Sequence, residues 1–178
     1  MTLADLSSVE AVEADLSLLA QVTQFLALEA KLLDEGREEE WYDLLDDKLL
    51  YVVPIRQATE QRADEVDRSS YRIRDTKAHV RTRLDRLATG NAYSEIPPSR
   101  TMRLVGSVFL EGTEPPDLIK ATSAMLVYRQ RGIDETFDLI PCRRNDTLRC
   151  TDEGLRLVRR EVLLTEVGIA TPNLGVFL

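Results

Sequence analysis

Histidine is nearly absent from this chain: His79 is the only one in 178 residues, and Cys142 and Cys150 are the only cysteines. A Rieske centre takes two Cys and two His, and a facial-triad iron site takes two His and a carboxylate. Neither can be assembled from these side chains alone. A Ser-His-Asp triad would have to use His79, and no nucleophile-elbow motif accompanies it. No metal site and no cofactor site is therefore expected in the chain itself. The two cysteines of a cytoplasmic chain read as reduced thiols rather than as a disulfide framework. Apolar runs approaching the roughly 20 residues that cross a bilayer are missing. The acidic start, with Asp5, Glu10, Glu13 and Asp15, lacks the basic opening of a signal peptide. The expected setting is the cytoplasm, with no membrane partner. Internal repeats and low-complexity tracts are missing too.

What is present is ordinary globular material, 43% hydrophobic and 30% charged, in one domain large enough to bury a core. Residues 1–14 read as an acidic extension and 15–178 as the body. Charge is unevenly placed. Residues 1–67 carry 5 basic and 17 acidic side chains, whereas residues 68–103 carry 9 basic and 3 acidic. An arginine-rich segment is thus set to meet acidic surface, within the chain or across a subunit contact. Nucleic acid is not expected, because the whole chain is acidic and only Tyr71 and Tyr93 offer stacking in that segment.

The chain is organised around a proline-locked turn that becomes a strand. Pro97 and Pro98 lack amide donors. From Thr101 the pattern has period two, with Met102, Leu104, Gly106, Val108 and Leu110 on one face and Thr101, Arg103, Ser107 and Glu111 on the other. Upstream, Asp15 caps an amphipathic helix bearing Leu16, Leu19, Val22, Thr23, Leu26, Ala30 and Leu33, flanked by Phe25 and Leu32 and ending near Gly36. A second helix is expected over Glu38–Leu45, turning Trp41 inward as a core anchor. Leu49–Ile55 reads as a buried strand with Pro54 at its edge or end. Residues 56–69 read as a loop and Tyr71–Arg74 as a short strand. Asp75 then caps a helix with apolar Val80, Leu84 and Leu87, stopped by Gly90. Downstream, Leu118–Arg131 is a long strand expected to be buried on both faces. Glu135–Cys150 is a second, bulged at Pro141, and Leu155–Val167 a third. Helices first and a strand meander afterwards predict an α+β fold in which a curved sheet wraps the long helix.

Several stretches resemble one family. They are Phe25-Leu26-Ala27-Leu28-Glu29-Ala30-Lys31-Leu32-Leu33-Asp34-Glu35 with Trp41, Tyr51-Val52-Val53-Pro54-Ile55-Arg56, and Arg83-Leu84 with Leu87-Ala88-Thr89-Gly90. Ile96-Pro97-Pro98-Ser99-Arg100-Thr101 and the closing Thr171-Pro172-Asn173-Leu174-Gly175-Val176-Phe177-Leu178 complete the set. Over roughly residues 16–178 the chain resembles the small (beta) subunit of aromatic-ring-hydroxylating dioxygenases. The resemblance implies a cone-like, nuclear transport factor 2 or cystatin-like fold, with N-terminal helices packed on a long, curved, mostly antiparallel sheet. It implies a noncatalytic, structural subunit, trimeric within an α3β3 hexamer. The large (alpha) subunit would carry the Rieske 2Fe-2S cluster and mononuclear Fe(II), with NADH supplying electrons through a reductase.

Two other readings stay open. A stand-alone cone-fold isomerase or dehydratase could use His79 as a general base with Asp75 four residues before it, and Tyr51 or Tyr128 as an oxyanion-type donor. A ligand-binding or assembly module of the same superfamily is the third. Against the first stands the plainer reading of Asp75 as an N-cap and His79 as a surface residue. Arg100 and Arg103 could bind an anionic substrate, but structural ion pairs across a subunit contact are preferred, since arginine matches carboxylates bidentately. The expected interface set is Arg83, Arg100, Arg103, Leu174, Phe177 and Leu178, with the apolar tail ordered at or beside a contact between small subunits.

Overall fold

A six-stranded sheet in the order β2-β1-β6-β5-β4-β3 wraps around three helices. The computed structural model describes residues 16–89, 97–112, 115, 117–132, 135–169, 171 and 173–178. The Asp15 cap, the Gly90 stop and the start of the proline turn lie outside them. In chain order the elements are α1 (Leu16–Asp34), α2 (Glu38–Tyr42), β1 (Leu45–Arg56), β2 (Val66–Thr76), α3 (Lys77–Ala88), β3 (Ser99–Gly112), β4 (Leu118–Arg131), β5 (Asp138–Thr151) and β6 (Gly154–Leu164). Only the β1–β6 pairing is parallel; every other pairing is antiparallel. The architecture is the α+β cone that the sequence predicts.

The periodicity of α1 sets its depth. Val22, Phe25, Leu26, Ala30, Leu32 and Leu33 are buried, and Glu29 is buried among them. The helix packs on β3, while Leu16 at its start is exposed. By length and composition α1 is apolar enough to cross a membrane, yet its apolar side is the core of the cone.

Several boundaries differ from the sequence reading, each for a local reason. α2 ends at Tyr42, because Leu45 joins β6 opposite Leu157. β2 starts at Val66 and not Tyr71, pairing Arg56 with Val66 in the segment read as a loop. The cap of α3 is Thr76, in a capping box with His79; Asp75 is the strand residue opposite Tyr51. Pro54 lies on an interior strand. It is tolerated there because the β6 ladder ends at Val52, and the register with β2 shifts around it. Pro141 causes no bulge: it sits in register opposite Leu126. Its carbonyl accepts from Thr165 just beyond β6, so the missing donor faces the end of a ladder, where no regular bond is lost.

β3 carries the largest difference. Its inward face is Thr101, Arg103 and Val105, and Met102 and Leu104 point outward. The register then slips between Gly106 and Phe109, where Ser107 takes φ +50°. This bulge returns Val108 and Leu110 to the inner side, since one extra residue inverts a period-two pattern. β4 is also not buried on both faces. Ala121, Ser123, Met125, Val127 and Arg129 are buried, whereas Leu126 on the outer side is exposed. Gly132, at φ +44°, closes the β4–β5 turn, and a Cβ there would meet Pro97 Cγ at 2.8 Å. The proline turn is thereby packed against the hairpin.

Candidate functional site

His79 and Asp75 do not form a catalytic pair. His79 is exposed, and its Nδ1 accepts the Thr76 N–H at 3.3 Å. Asp75 accepts from Arg83 Nη1 at 3.0 Å. The Tyr51 hydroxyl is fully inside, bonded to the backbone of Leu178, and burial raises its pKa. Tyr128 stacks on Phe137 on the outer side of the sheet. Histidine as base and tyrosine as donor therefore face different compartments. Among the described residues, no group of three or more His, Cys, Asp or Glu side chains is placed to hold a metal ion. Cys142 is buried and Cys150 exposed, both free, with the Cys142 thiol pushed up to about 11 by burial.

The interior of the cone is the polar centre of the molecule. Arg129, Arg144 and Arg160 are buried, Arg160 at 0% exposure. From β6, Arg160 donates through Nε and Nη2 to Asp146 on β5, both at 2.8 Å, and through Nη2 to Glu29 on α1 at 2.7 Å. Trp41 Nε1 donates to the same Glu29 at 3.1 Å, which fixes the indole. Burial alone would lower the Arg160 pKa, but Asp146 and Glu29 outweigh it and hold it far above the usual value. Arg144 donates to Ser123, and burial lowers its pKa. A buried pair of this kind contributes little net stability against a well-packed apolar substitute, while losing one partner costs about 3–5 kcal/mol. The network joins α1 to β5 and β6 through Glu29, Arg160 and Asp146.

The closing segment, residues 173–178, is threaded into this interior. Phe177 and Leu178 are buried within the single chain. The Phe177 ring lies 4.5 Å from the Trp41 ring, with the Arg83 guanidinium 4.1 Å above it. Arg103 pairs with Asp34 and donates from Nη2 to the Phe177 carbonyl at 2.8 Å; burial lowers its pKa despite the carboxylate. Arg83 reaches the Leu174 carbonyl at 3.3 Å. Of the residues expected at a subunit contact, Arg83, Arg103, Phe177 and Leu178 thus make these contacts inside one cone, with Leu174 half-buried beside them. The groove needed for the tail is supplied by the chain itself. Arg100 stands apart, exposed and bonded to Gln130 Oε1 and the Gly132 carbonyl. Many acidic partners of the arginine-rich segment are likewise intramolecular, including Arg81 with Glu39 and Lys77 with Asp47.

Two surfaces remain. A cavity of about 580 Å³ opens beside the tail, with Leu33, Leu84, Leu87, Val176 and Phe177 inside and Glu38 at the rim. Glu39, Glu40, Arg37 and Arg103 also line it, and Arg37 pairs with Glu40 and Arg103 with Asp34. The other surface is the outer face of β3, β4 and β5. Met102 lies opposite Tyr128 and Tyr128 opposite Leu139; Leu104 lies opposite Leu126 and Leu126 opposite Pro141. Phe137 extends this patch through its stack on Tyr128. Leu104 is 60% exposed and Met102 54%. A contiguous apolar face three strands wide is unusual on a free-standing domain and makes this the candidate interaction surface.

Sequence reasoning missed both the interior network and the orientation of this face. The signal for the first was period two itself: Ser123, Met125, Val127 and Arg129 alternate on one face of β4, and Cys142, Arg144, Asp146 and Leu148 on one face of β5. On α1, Glu29 falls between Leu26 and Leu33 on the buried stripe.

A family model for the ring hydroxylating beta subunit matches residues 28–170. The beta subunit of N,N-dimethyl phenylurea N-demethylase from Sphingobium sp. (strain YBL2) is 41% identical over 155 residues, which are 87% of this chain and 88% of that one. The beta subunit of benzene 1,2-dioxygenase from Pseudomonas putida is 34% identical over 163 residues, 88% and 87% of the two chains. In three dimensions the chain superposes on a structure of naphthalene 1,2-dioxygenase with indole bound in its active site, at a TM-score of 0.80 and 20% identity over all of both chains. That likeness shows the fold, which is the cystatin-like cone.

Proposed function

We propose, since this chain belongs to the ring hydroxylating beta subunit family, that it is the noncatalytic, structural small subunit of a multicomponent aromatic-ring-hydroxylating oxygenase. The large subunit of such an enzyme would hold the Rieske cluster and mononuclear iron and take electrons from NADH through a reductase. One histidine, one buried thiol and one exposed thiol do not fit either group, so no step of that chemistry is assigned to this chain. The observation that carries the reading is the outer face of β3–β5. Met102, Leu104, Leu126, Phe137 and Leu139 are all exposed in the single chain, and burying each would stabilise an assembly by up to about 1.5–3 kcal/mol. We assign this face, with Arg100 at its margin, to contacts with the large subunit and with further copies of this chain in an α3β3 hexamer.

The relatives support a division of labour. One is a subunit of an N-demethylase and another of a benzene dioxygenase, so similar beta chains serve different reactions. We assign the choice between dihydroxylation and demethylation to the large subunit, and the assembly to the cytoplasm. Coexpression with the large subunit of a ring-hydroxylating oxygenase from the same organism tests this. The expected product is an iron- and sulfide-containing complex with equal numbers of the two chains. Leu104→Lys with Leu126→Lys should yield a folded small subunit that no longer copurifies. Unchanged copurification would refute the assignment of this face.

A further inference from the structure

Residues 173–178 belong to no helix or strand, yet the carbonyls of Asn173, Leu174, Gly175, Phe177 and Leu178 are met inside the protein by side chains. Arg129 donates to the Asn173 carbonyl at 2.9 Å and to Asn173 Oδ1 at 3.2 Å. Arg83 takes the Leu174 carbonyl at 3.3 Å, and Arg103 takes that of Phe177 at 2.8 Å. At Leu178, the Tyr51 hydroxyl accepts the N–H at 2.9 Å. Core segments ordinarily satisfy their backbone through secondary structure. Side chains addressing the carbonyls of a segment outside regular secondary structure are instead how proteins hold peptide ligands.

Each of these arginines is also anchored from the body of the cone. Asp75 holds Arg83 and Asp34 holds Arg103, while Ser99 Oγ accepts from Arg129 Nε at 3.0 Å. Trp41, which faces Phe177, is fixed by Glu29, and Glu29 by Arg160. None of these anchors lies in residues 173–178. The receptor is therefore built before the tail arrives, which lowers the ordering cost of binding.

From this we infer that the cone interior is a peptide-binding site occupied by the chain's own residues 173–178, and that it takes the same apolar segment in trans. Its ligand class is a short peptide whose last two residues are aromatic and aliphatic. The aromatic ring fills the slot between Trp41 and Arg83, and the carbonyls meet Arg129, Arg83 and Arg103. This goes beyond the subunit role and stands without it.

The test uses a chain lacking residues 173–178 and the synthetic peptide Asn-Leu-Gly-Val-Phe-Leu. Trp41, the only tryptophan, reports occupancy by fluorescence. Saturable binding with a rise in Tm is expected, weakened at least about tenfold in the peptide carrying Phe177→Ala. A folded truncated protein that ignores the peptide up to about 1 mM would overturn the inference. If the truncated chain does not fold, the complete chain is given a protease site after Gly168 and cut once folded. The released fragment should then stay bound through gel filtration and exchange with labelled peptide. Unfolding on cutting, loss of the fragment without rebinding, or a fragment that never exchanges would each overturn it.

Discussion

The two faces of the β3–β5 sheet each break the usual rule in part. Among its core hydrocarbon the inner face buries Arg103, Arg129, Arg144 and Asp146, and the outer face exposes Met102, Leu104, Leu126 and Leu139. Charge is set into the core, and a patch of hydrocarbon is left outside. On the inner face Glu29, Asp34, Ser99 and Ser123 supply partners from other elements. Among the described residues, Arg103 Nε and Arg144 Nη2 stay buried without one, and nothing covers the outer patch. Burial is read on neither face from polarity alone, but from what the neighbouring elements supply.

The sharpest way to break the inner face is Arg160→Ala, which strands Glu29 and Asp146 in the core. A loss of about 3–5 kcal/mol is expected, read as the shift in urea midpoint of the isolated chain. A volume-matched apolar replacement of all three residues should recover much of it.

The outer face should respond in the opposite way. Leu104→Lys changes unfolding free energy by no more than about 0.5 kcal/mol, as surface substitutions do. It should nevertheless weaken association with the large subunit about 30-fold or more, since anchors of an interface cost about 2 kcal/mol or more when lost. Sedimentation of the mixed chains measures it.

A charge at the boundary gives a pH test. Burial pushes the Glu161 carboxyl up, but hydrogen bonds from Arg68 and Asn145 outweigh it and leave it lowered from 4.5. Its contribution is complete above that unfolded value and is lost as pH falls through the lower folded one. Unfolding midpoints should therefore decline below about pH 4.5, and Glu161→Gln should flatten the decline.

The smallest effect belongs to His79, which lies on neither face of the sheet. His79→Ala removes one half of a capping box and should cost about 0.5–1 kcal/mol in thermal unfolding. Turnover of the reconstituted oxygenase should stay within a few-fold. A loss of about 100-fold, the scale for a missing general acid or base, would instead give this residue a chemical role.

The elements were legible where one face is apolar and the turns are punctuated. β4 runs from Leu118 to Arg131 as read, and α1 ends before Gly36. What was not legible depended on residues far apart in sequence. Val66–Ser70 look like loop because their partner Ile55–Arg56 supplies the reason for a strand. The orientation of β3 depends on the bulge at Ser107 and on Asp34 drawing Arg103 inward. Of the candidate site, the ordered apolar tail was legible from Val176, Phe177 and Leu178. Its groove was not, because Glu29, Trp41 and Arg160 meet only once the sheet has curled.

The parallel pairing of β1 with β6 sets a clock on biosynthesis. β1 needs both neighbours, and Leu50 meets Arg159 only after β2 through β5 have been made. At roughly 5–20 residues per second, the interval between the emergence of the two strands is about 5–20 s. Until then Glu29 waits for Arg160 and Trp41 for Phe177, and the apolar side of α1 faces the crowded exit of the ribosome. The meander β3–β6, built from near neighbours, can form as it emerges, since local pairings close first. The nascent stretch from α1 to β1 is therefore the part that stays unfinished longest, and β6 is the strand that completes it.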